Sequence, residues 1–213
     1  TRTPDINEVV AVCSGFEYPI ELIGGLPPDA VVLDVGANVG AFSVFIAGQE
    51  HGHGLRGWAI EPFSENASLL RQNLQLNDSA FTVVELAISD HDGECRIETS
   101  LPPDSVCVTT DEVGERVSCA RLSTFCGAQK IDYVDLLKMD VEGHEYSIIE
   151  SDATFLGEHV ARMILEWHDR PDGSREDIVS SLQGAFEITD VHRYRDRGVL
   201  HLENRSAIHR RNT

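Results

Sequence analysis

Long apolar runs, paired cysteines and internal repeats are all missing from this chain of 213 residues. No segment approaches the ~20 apolar residues that a membrane-spanning helix requires, so no such helix is expected. The scarcity of cations is the strongest compositional signal. Seventeen Lys and Arg face 36 Asp and Glu, a formal net charge of -19. Such a surface repels phosphate backbones and anionic lipid, so neither nucleic acid nor membrane is expected as a partner. The five cysteines (Cys13, Cys95, Cys107, Cys119, Cys126) are scattered and form no C-x-x-C. That spacing fits neither a structural zinc site nor a secreted disulfide framework, and points to reduced thiols in a cytoplasm. The opening Thr1-Arg2-Thr3-Pro4-Asp5 holds no apolar signal-peptide core and no initiator methionine, as expected of a chain trimmed at its start.

What is present is an alternation of strand-like and helix-like segments, read as one domain over residues 1–213. Residues 5–24, within a lead-in of 1–29, read as a short helix. Ala30–Asp34, Gly57–Ile60, Phe81–Ile88, Tyr133–Met139 and Ala161–Glu166 read as compact buried strands. Helical spacing follows them: Phe42, Phe45 and Ile46 up to Gly48; Leu69, Leu70 and Leu74 after a Ser64 cap; a stretch around Glu145–Phe155. Ser174 and Asp177 form a capping-box pattern for one more helix. Phe186–Val191 and Val199–Glu203 read as a closing antiparallel hairpin. The segment 91–124 is an insertion with two further strands, Glu94–Glu98 and Arg116–Leu122. The order predicts an α/β fold, a mostly parallel sheet with helices on both faces.

In such sheets ligands sit beyond the C-terminal ends of the strands. The first loop reads Asp34-Val35-Gly36-Ala37-Asn38-Val39-Gly40. Gly36 and Gly40 allow a sharp bend and close ligand approach. A dinucleotide site wants glycine where Asn38 stands. Asn38 fills that space and offers an amide, which suits a lone carboxylate such as the methionine end of S-adenosylmethionine. A plain strand-to-helix turn is the bland alternative. Glu61 follows Asp34 by 27 residues and ends the second strand, where an acid can accept hydrogen bonds from ribose hydroxyls. Phe63 is a candidate to stack on adenine or to fill the core. Leu86-Ala87-Ile88 would offer backbone groups and a small surface to the base.

These residues resemble the FkbM-type methyltransferases. The likeness rests on "VVLDVGANVG" at 31–40, Glu61-Pro62, Ala87-Ile88-Ser89-Asp90, "LKMDVEGHE" at 137–145 and Ile164-Leu165-Glu166, in the family's order. It covers roughly residues 30–168. The resemblance implies a class I Rossmann-like fold with a seven-stranded sheet. It also implies methyl transfer from S-adenosylmethionine, typically to a hydroxyl of a sugar or natural product. Residues 1–29, 91–124 and the tail after 170 carry little of the match, so the small-molecule acceptor is expected to be chosen there.

Methyl transfer to an alcohol needs alignment and removal of a proton. Were Lys138–Glu142 extended, Lys138, Asp140 and Glu142 would share a side; Lys138 would pair with Asp140 or steady a developing alkoxide. Glu166 and His168 would point into the same cleft, and His144 begins the next helix. Two mechanisms follow. His168 or His144 acts as general base, oriented by Glu166 or Asp140; or Asp140, Glu166 and His168 hold a divalent cation such as Mg. Metal-free catalysis is the preferred expectation, and a purely structural charge network is the alternative. His51 and His53 read as a solvated loop pair, and Trp58 and Trp167 as core. Arg193, Arg195, Arg197, Arg205, Arg210 and Arg211 make the C-terminus basic. That suits an anionic acceptor or the acidic surface of a second subunit, leaving a homodimer open, though a solvated hairpin is preferred. The rival functions are an NAD-dependent oxidoreductase, which Glu61 would also serve, and a non-catalytic module on the same fold.

Overall fold

Each early strand of the chain is apolar on both faces, and such strands are stable only between two layers of helices. In the computed structural model, which describes residues 9–10, 12, 18–19, 23–49, 54–98, 107–109, 114–171 and 173–206, they lie at the centre of one sheet. β1 (Val31–Val35) is flanked by β2 (Arg56–Ile60) and β8 (Leu136–Met139), both parallel to it. Beyond them lie β3 (Thr82–Val84) on one side and β9 (Arg162–His168), β11 (Arg197–Asn204) and β10 (Phe186–Arg193) on the other. The order is β10-β11-β9-β8-β1-β2-β3, with β11 antiparallel to both neighbours. This is the expected mostly parallel seven-stranded α/β sheet with its C-terminal hairpin.

Successive residues of β1 feed opposite faces. Val32 packs with Phe42 and Ile46 of α1 (Ala41–Ala47) and Leu70 and Leu74 of α2 (Ser64–Leu76). Leu33 packs on the other side with Phe125 of α3 (Leu122–Gln129), Ile148 and Leu156 of α4 (Glu145–His159) and Ile178 of α5 (Arg175–Leu182). Fully burying one Leu or Ile contributes about 1.5–3 kcal/mol, so these two faces dominate the driving force. The Ser174–Asp177 capping box forms as read.

Several boundaries differ from the sequence reading. Phe81–Ile88 is not one strand: β3 stops at Val84, whose carbonyl accepts the Glu61 N–H, and β4 (Ala87–Ile88) joins a second sheet. That sheet, of order β4-β7-β5-β6, contains β5 (Gly93–Glu98), β6 (Cys107–Thr109) and β7 (Glu115–Ala120). β7 ends before Leu122, where α3 begins; Leu122, Phe125 and Cys126 form its buried i, i+3, i+4 face. The fourth strand starts at Leu136 rather than Tyr133. Ser64 is the first helical residue, and Phe63 takes the cap position. In the hairpin a register shift between Asp190 and His192 lets both strands run longer than expected. Most of the 5–24 lead-in lies outside the described residues, although Val12 and Ile23 are buried with the α1 cluster.

Candidate functional site

Asp34 sits one residue before the end of β1 and directly beside Lys138 of β8 in the sheet register. Two charged side chains therefore enter a layer otherwise made of Val, Leu, Ile and Met. Both are buried, Asp34 at 0% and Lys138 at 4% exposure. Ser43 donates to Asp34 Oδ2 at 2.6 Å. Lys138 Nζ lies 3.6 Å from Asp34 Oδ1 and 3.5 Å from Asp140 Oδ2, and donates to the Gly36 carbonyl at 2.8 Å. Burial raises the Asp34 pKa, with Lys138 and the Ser43 hydroxyl working against the rise. The result is a charge chain lying under the glycine loop. Gly36 has φ +74, and a Cβ there would overlap the carbonyl of Asp140. The loop is thus pressed against the end of β8 as closely as backbone can go.

Glu61 closes the same end of β2. Its Oε2 accepts the Asn38 N–H at 2.9 Å and its Oε1 the Phe63 N–H at 3.0 Å. Burial pushes its pKa up to about 7, against the pull of those two N–H donors. A cavity of roughly 570 Å3, partly open to solvent, lies against it; Gly36, Glu61, Asn66, Ala87, Asp140 and Glu142 supply its polar and backbone edges. Ile60, Leu86, Ile88, Ile97 and Val108 supply apolar walls. Of the residues expected around a cofactor, Gly36, Glu61 and Ala87 line this space. Asp34, Asn38, Gly40 and Phe63 do not line it, and Asp34 and Phe63 are buried.

The chain leaving β8 does not stay extended. Glu142 and Gly143 both take left-handed conformations, with φ 52 and 94, so the expected alternation stops at Asp140. The turn delivers Glu145, the first residue of α4, into the protein at 0% exposure. Its Oε1 accepts the N–H groups of Val141 at 3.2 Å and Gly143 at 3.1 Å, and lies 3.1 Å from Nδ1 of His168. The other ring nitrogen, Nε2, is 3.5 Å from Glu142 and 3.8 Å from Glu166. Burial opposes charge on His168, but the hydrogen bond it donates to Glu145 and the carboxylates of Glu145, Asp140 and Glu142 outweigh it and push its pKa up to about 10. Glu142 is pushed up to about 7 by burial and by the nearby Asp140.

The partner that orients His168 is therefore Glu145, not Glu166 or Asp140 as the sequence suggested. Glu166 instead lies 3.4 Å from the guanidinium of Arg197 across the β9–β11 pair. Among the described residues, the group of ligand-type atoms that comes together, all within 4.8 Å, is Asp140, Glu142 and His168. Glu166 is displaced from that set. An acid opening a helix two residues after a glycine is the signal that could have marked Glu145.

A second cavity, of roughly 1,280 Å3 including open solvent, adjoins the first through Val108 and Glu142. It is lined by Ser89, Asp90, His144, His168, Asp169 and Arg170, and by Cys95, Arg96 and Thr109 of the second sheet. Ser89 donates to Asp90 at 3.1 Å, and its Oγ lies 3.1 Å from Nε2 of His144. Burial lowers the His144 pKa. Sequence reasoning missed Ser89, which acquires its role only when β4 leaves the main sheet.

Trp58 and Trp167 are buried in the core, as expected. Arg193 pairs with Glu176 at 3.8 Å. His51, His53, Arg210 and Arg211 lie outside the described residues.

The profile of the methyltransferase FkbM domain matches residues 34–198. The chain belongs to the FkbM methyltransferase family. This S-adenosylmethionine-dependent family is the one the loop and "KMDVEGHE" motifs suggested. The FkbM-family chain is 28% identical over 210 residues to the AMB antimetabolite synthetase AmbE of Pseudomonas aeruginosa, covering 77% of this chain and 10% of that protein. It is 28% identical over 192 residues to the 31-O-demethyl-FK506 methyltransferase FkbM of Streptomyces tacrolimicus, covering 75% of this chain and 73% of that one. A methyltransferase FkbM structure from Methylobacillus flagellatus superposes with TM-score 0.62 at 17% identity, over 88% of this chain and 47% of that chain. The FkbM-family chain thus spans a tenth of the synthetase and about half of the solved relative. Among the described residues no helix is long and apolar enough to cross a membrane.

Proposed function

We propose that this FkbM-family chain transfers a methyl group from S-adenosylmethionine to a hydroxyl of a small molecule, such as a sugar or natural-product scaffold. The observation that carries the reading is the meeting of two cavities at Glu142: one bounded by the glycine loop and Glu61, the other by His144, His168 and the second sheet. The residues of the first suit the cofactor. Gly36 brings the loop backbone to the edge of the cavity, Glu61 offers a buried carboxylate for a diol, and Ile60, Leu86, Ile88, Ile97 and Val108 suit an adenine face. When bound, S-adenosylmethionine supplies the methyl carbon: the acceptor oxygen bonds to it as its bond to sulfur breaks, leaving S-adenosylhomocysteine.

The second cavity takes the acceptor, so the 91–124 insertion contributes to acceptor choice. A hydroxyl must lose its proton during attack, and His144 is the base. With the Ser89 O–H given to Asp90, Nε2–H of His144 donates to Ser89 Oγ, leaving Nδ1 with the lone pair that takes the proton. Lys138 and Asp34 do not meet substrate in this reading; they hold the loop and Asp140 in place. The 28% identity to a methyltransferase named for 31-O-demethyl-FK506 supports oxygen as the acceptor atom.

Calorimetry with S-adenosylhomocysteine and with NAD, on the same preparation, tests the cofactor. Binding of S-adenosylhomocysteine alone is expected, and binding of NAD alone would restore the oxidoreductase reading. A radiolabelled methyl-transfer screen over sugars and polyketide-like alcohols tests the acceptor class; label transferred only to amines or thiols would remove the hydroxyl from the proposal.

A further inference from the structure

The turn after β8 and the tip of β9 bring together a set of donors that methyl transfer by itself does not require. Oxygens of Asp140 and Glu142 and a ring nitrogen of His168 lie within 4.8 Å of one another. They come from the strand end, the left-handed turn and the neighbouring strand, so the grouping is made by the sheet and not by sequence proximity.

We infer that Asp140, Glu142 and His168 bind a divalent cation of the magnesium–manganese class at the junction of the two cavities, with Glu145 fixing the imidazole from behind. Four observations support it. The Nδ1 of His168 is held by Oε1 of Glu145, a carboxylate without exposed surface that two backbone N–H groups pin in place. A carboxylate behind the ring, leaving Nε2 to face other ligands, is the usual support of a metal-binding histidine. Second, Nε2 of His168 and Oδ1 of Asp140 are buried and make no hydrogen bond among the described residues. Glu142 and Glu166 stand 3.5 and 3.8 Å from Nε2 without making a hydrogen bond to it, and buried polar atoms are nearly always hydrogen-bonded, so these two atoms call for a closer partner. Third, the charges are lopsided: the five acids Asp34, Asp140, Glu142, Glu145 and Glu166 stand around Lys138, Arg197 and His168, and a dication would offset the excess. Fourth, two carboxylates and one imidazole, with no thiolate, select harder cations, and the imidazole favours manganese within that class.

The place of the cation also makes chemical sense. Asp140 borders the first cavity, His168 the second and Glu142 both. The role assigned next rests on the methyl-transfer reading, whereas the binding does not. There a Lewis acid lowers the pKa of the acceptor hydroxyl and holds its oxygen in line, while His144 receives the proton. An acceptor with two adjacent oxygens is the class best suited to such a site.

The test uses Mn2+ alone as probe. The chain is stripped with EDTA, dialysed and titrated with Mn2+, with loss of the free-ion electron paramagnetic resonance signal as readout. One saturable site is expected. Loss of a supporting outer-shell group alone costs a metal site roughly ten- to a hundred-fold, so removal of a direct ligand by Glu142→Gln or His168→Gln is expected to weaken it by at least about ten-fold, with folding checked by thermal melting. Glu166→Gln is expected to keep it, which separates this ligand set from Asp140, Glu166 and His168. Absence of saturable Mn2+ binding, or parent-like affinity in a folded Glu142→Gln or His168→Gln chain, overturns the inference. Calorimetry of the EDTA-treated parent with S-adenosylhomocysteine runs alongside. Retained binding of that ligand with no Mn2+ site removes the cation and leaves the methyltransferase reading standing.

Discussion

The backbone N–H of Asn38 donates to Oε2 of Glu61 across 2.9 Å, so the glycine loop after β1 and the acid ending β2 form one unit before any ligand arrives. Asn38 reaches this position with φ 48, a left-handed conformation that asparagine tolerates better than most residues. The carboxylate is thereby aimed in advance, and a bound diol need not order it.

Glu61→Gln removes the charge while keeping the shape. We expect affinity for S-adenosylhomocysteine to drop by about 1–3 kcal/mol, the range for losing a hydrogen bond to a charged group. Isothermal titration calorimetry checks it; unchanged affinity would take the ribose contact away from Glu61.

Gly36→Ala meets two obstacles, a φ of +74 and the Asp140 carbonyl. Backbone strain of this kind costs about 1–3 kcal/mol before the clash is counted. Urea unfolding should show a loss of at least that size, together with weaker cofactor binding. Parent-like stability would mean that the loop does not press on β8.

Lys138→Met leaves buried Asp34 and half-buried Asp140 without their cation. Breaking a buried pair in this way costs about 3–5 kcal/mol. Adding Asp34→Asn should recover part of the loss, and a double-mutant cycle by chemical denaturation measures how much. A Lys138→Met chain of full stability but reduced turnover would instead make Lys138 a group that acts on substrate.

His144→Gln keeps a polar side chain at the second cavity but cannot take a proton. Turnover is expected to fall roughly 10²–10⁴-fold, the usual contribution of a positioned base, with little change in cofactor affinity. Single-turnover kinetics with a saturating acceptor reads the chemical step directly, and a parent-like rate would assign the proton to another group.

His201 offers a pH test distant from the site. It lies in β11 at 5% exposure, and burial lowers its pKa, with Arg162 adding to the fall and Glu203 opposing it. A histidine whose folded pKa is depressed binds its proton more readily when unfolded. Its stabilising contribution is complete above the ordinary value of about 6.5 and is lost as pH drops below it. Urea midpoints taken from about pH 8 down to about pH 5 should therefore fall less steeply in His201→Leu than in the parent; identical slopes would show that His201 does not govern this range.

The legibility of the site varied residue by residue. Gly36 and Glu61 were readable because each stands just past an apolar strand, and in a parallel sheet that position is the ligand edge; Ala87 was readable near the end of the third apolar run. His144 and His168 were readable as chemistry but not as a pair of distinct environments. Glu145 was invisible as the partner of His168 because 23 residues separate them, and only α4 folding back beside β9 joins them. Glu142 was expected to lie along an extended strand; its φ of 52 turned it toward both cavities.

The order of the main-sheet strands and of helices α1, α2, α4 and α5, the two-faced core and the bend at Gly36–Gly40 were determined by the sequence alone, whereas α3 and β6 were not read from it. They depend on local hydrophobic period and backbone freedom, which neighbouring residues carry in themselves. The tertiary structure decided that the chain after Val84 abandons the main sheet, that Lys138 faces inward between two acids, and that Glu142 rather than Glu166 joins Asp140 and His168. Those outcomes depend on which buried polar groups find partners across the sheet, and that balance is struck only when distant segments are packed together.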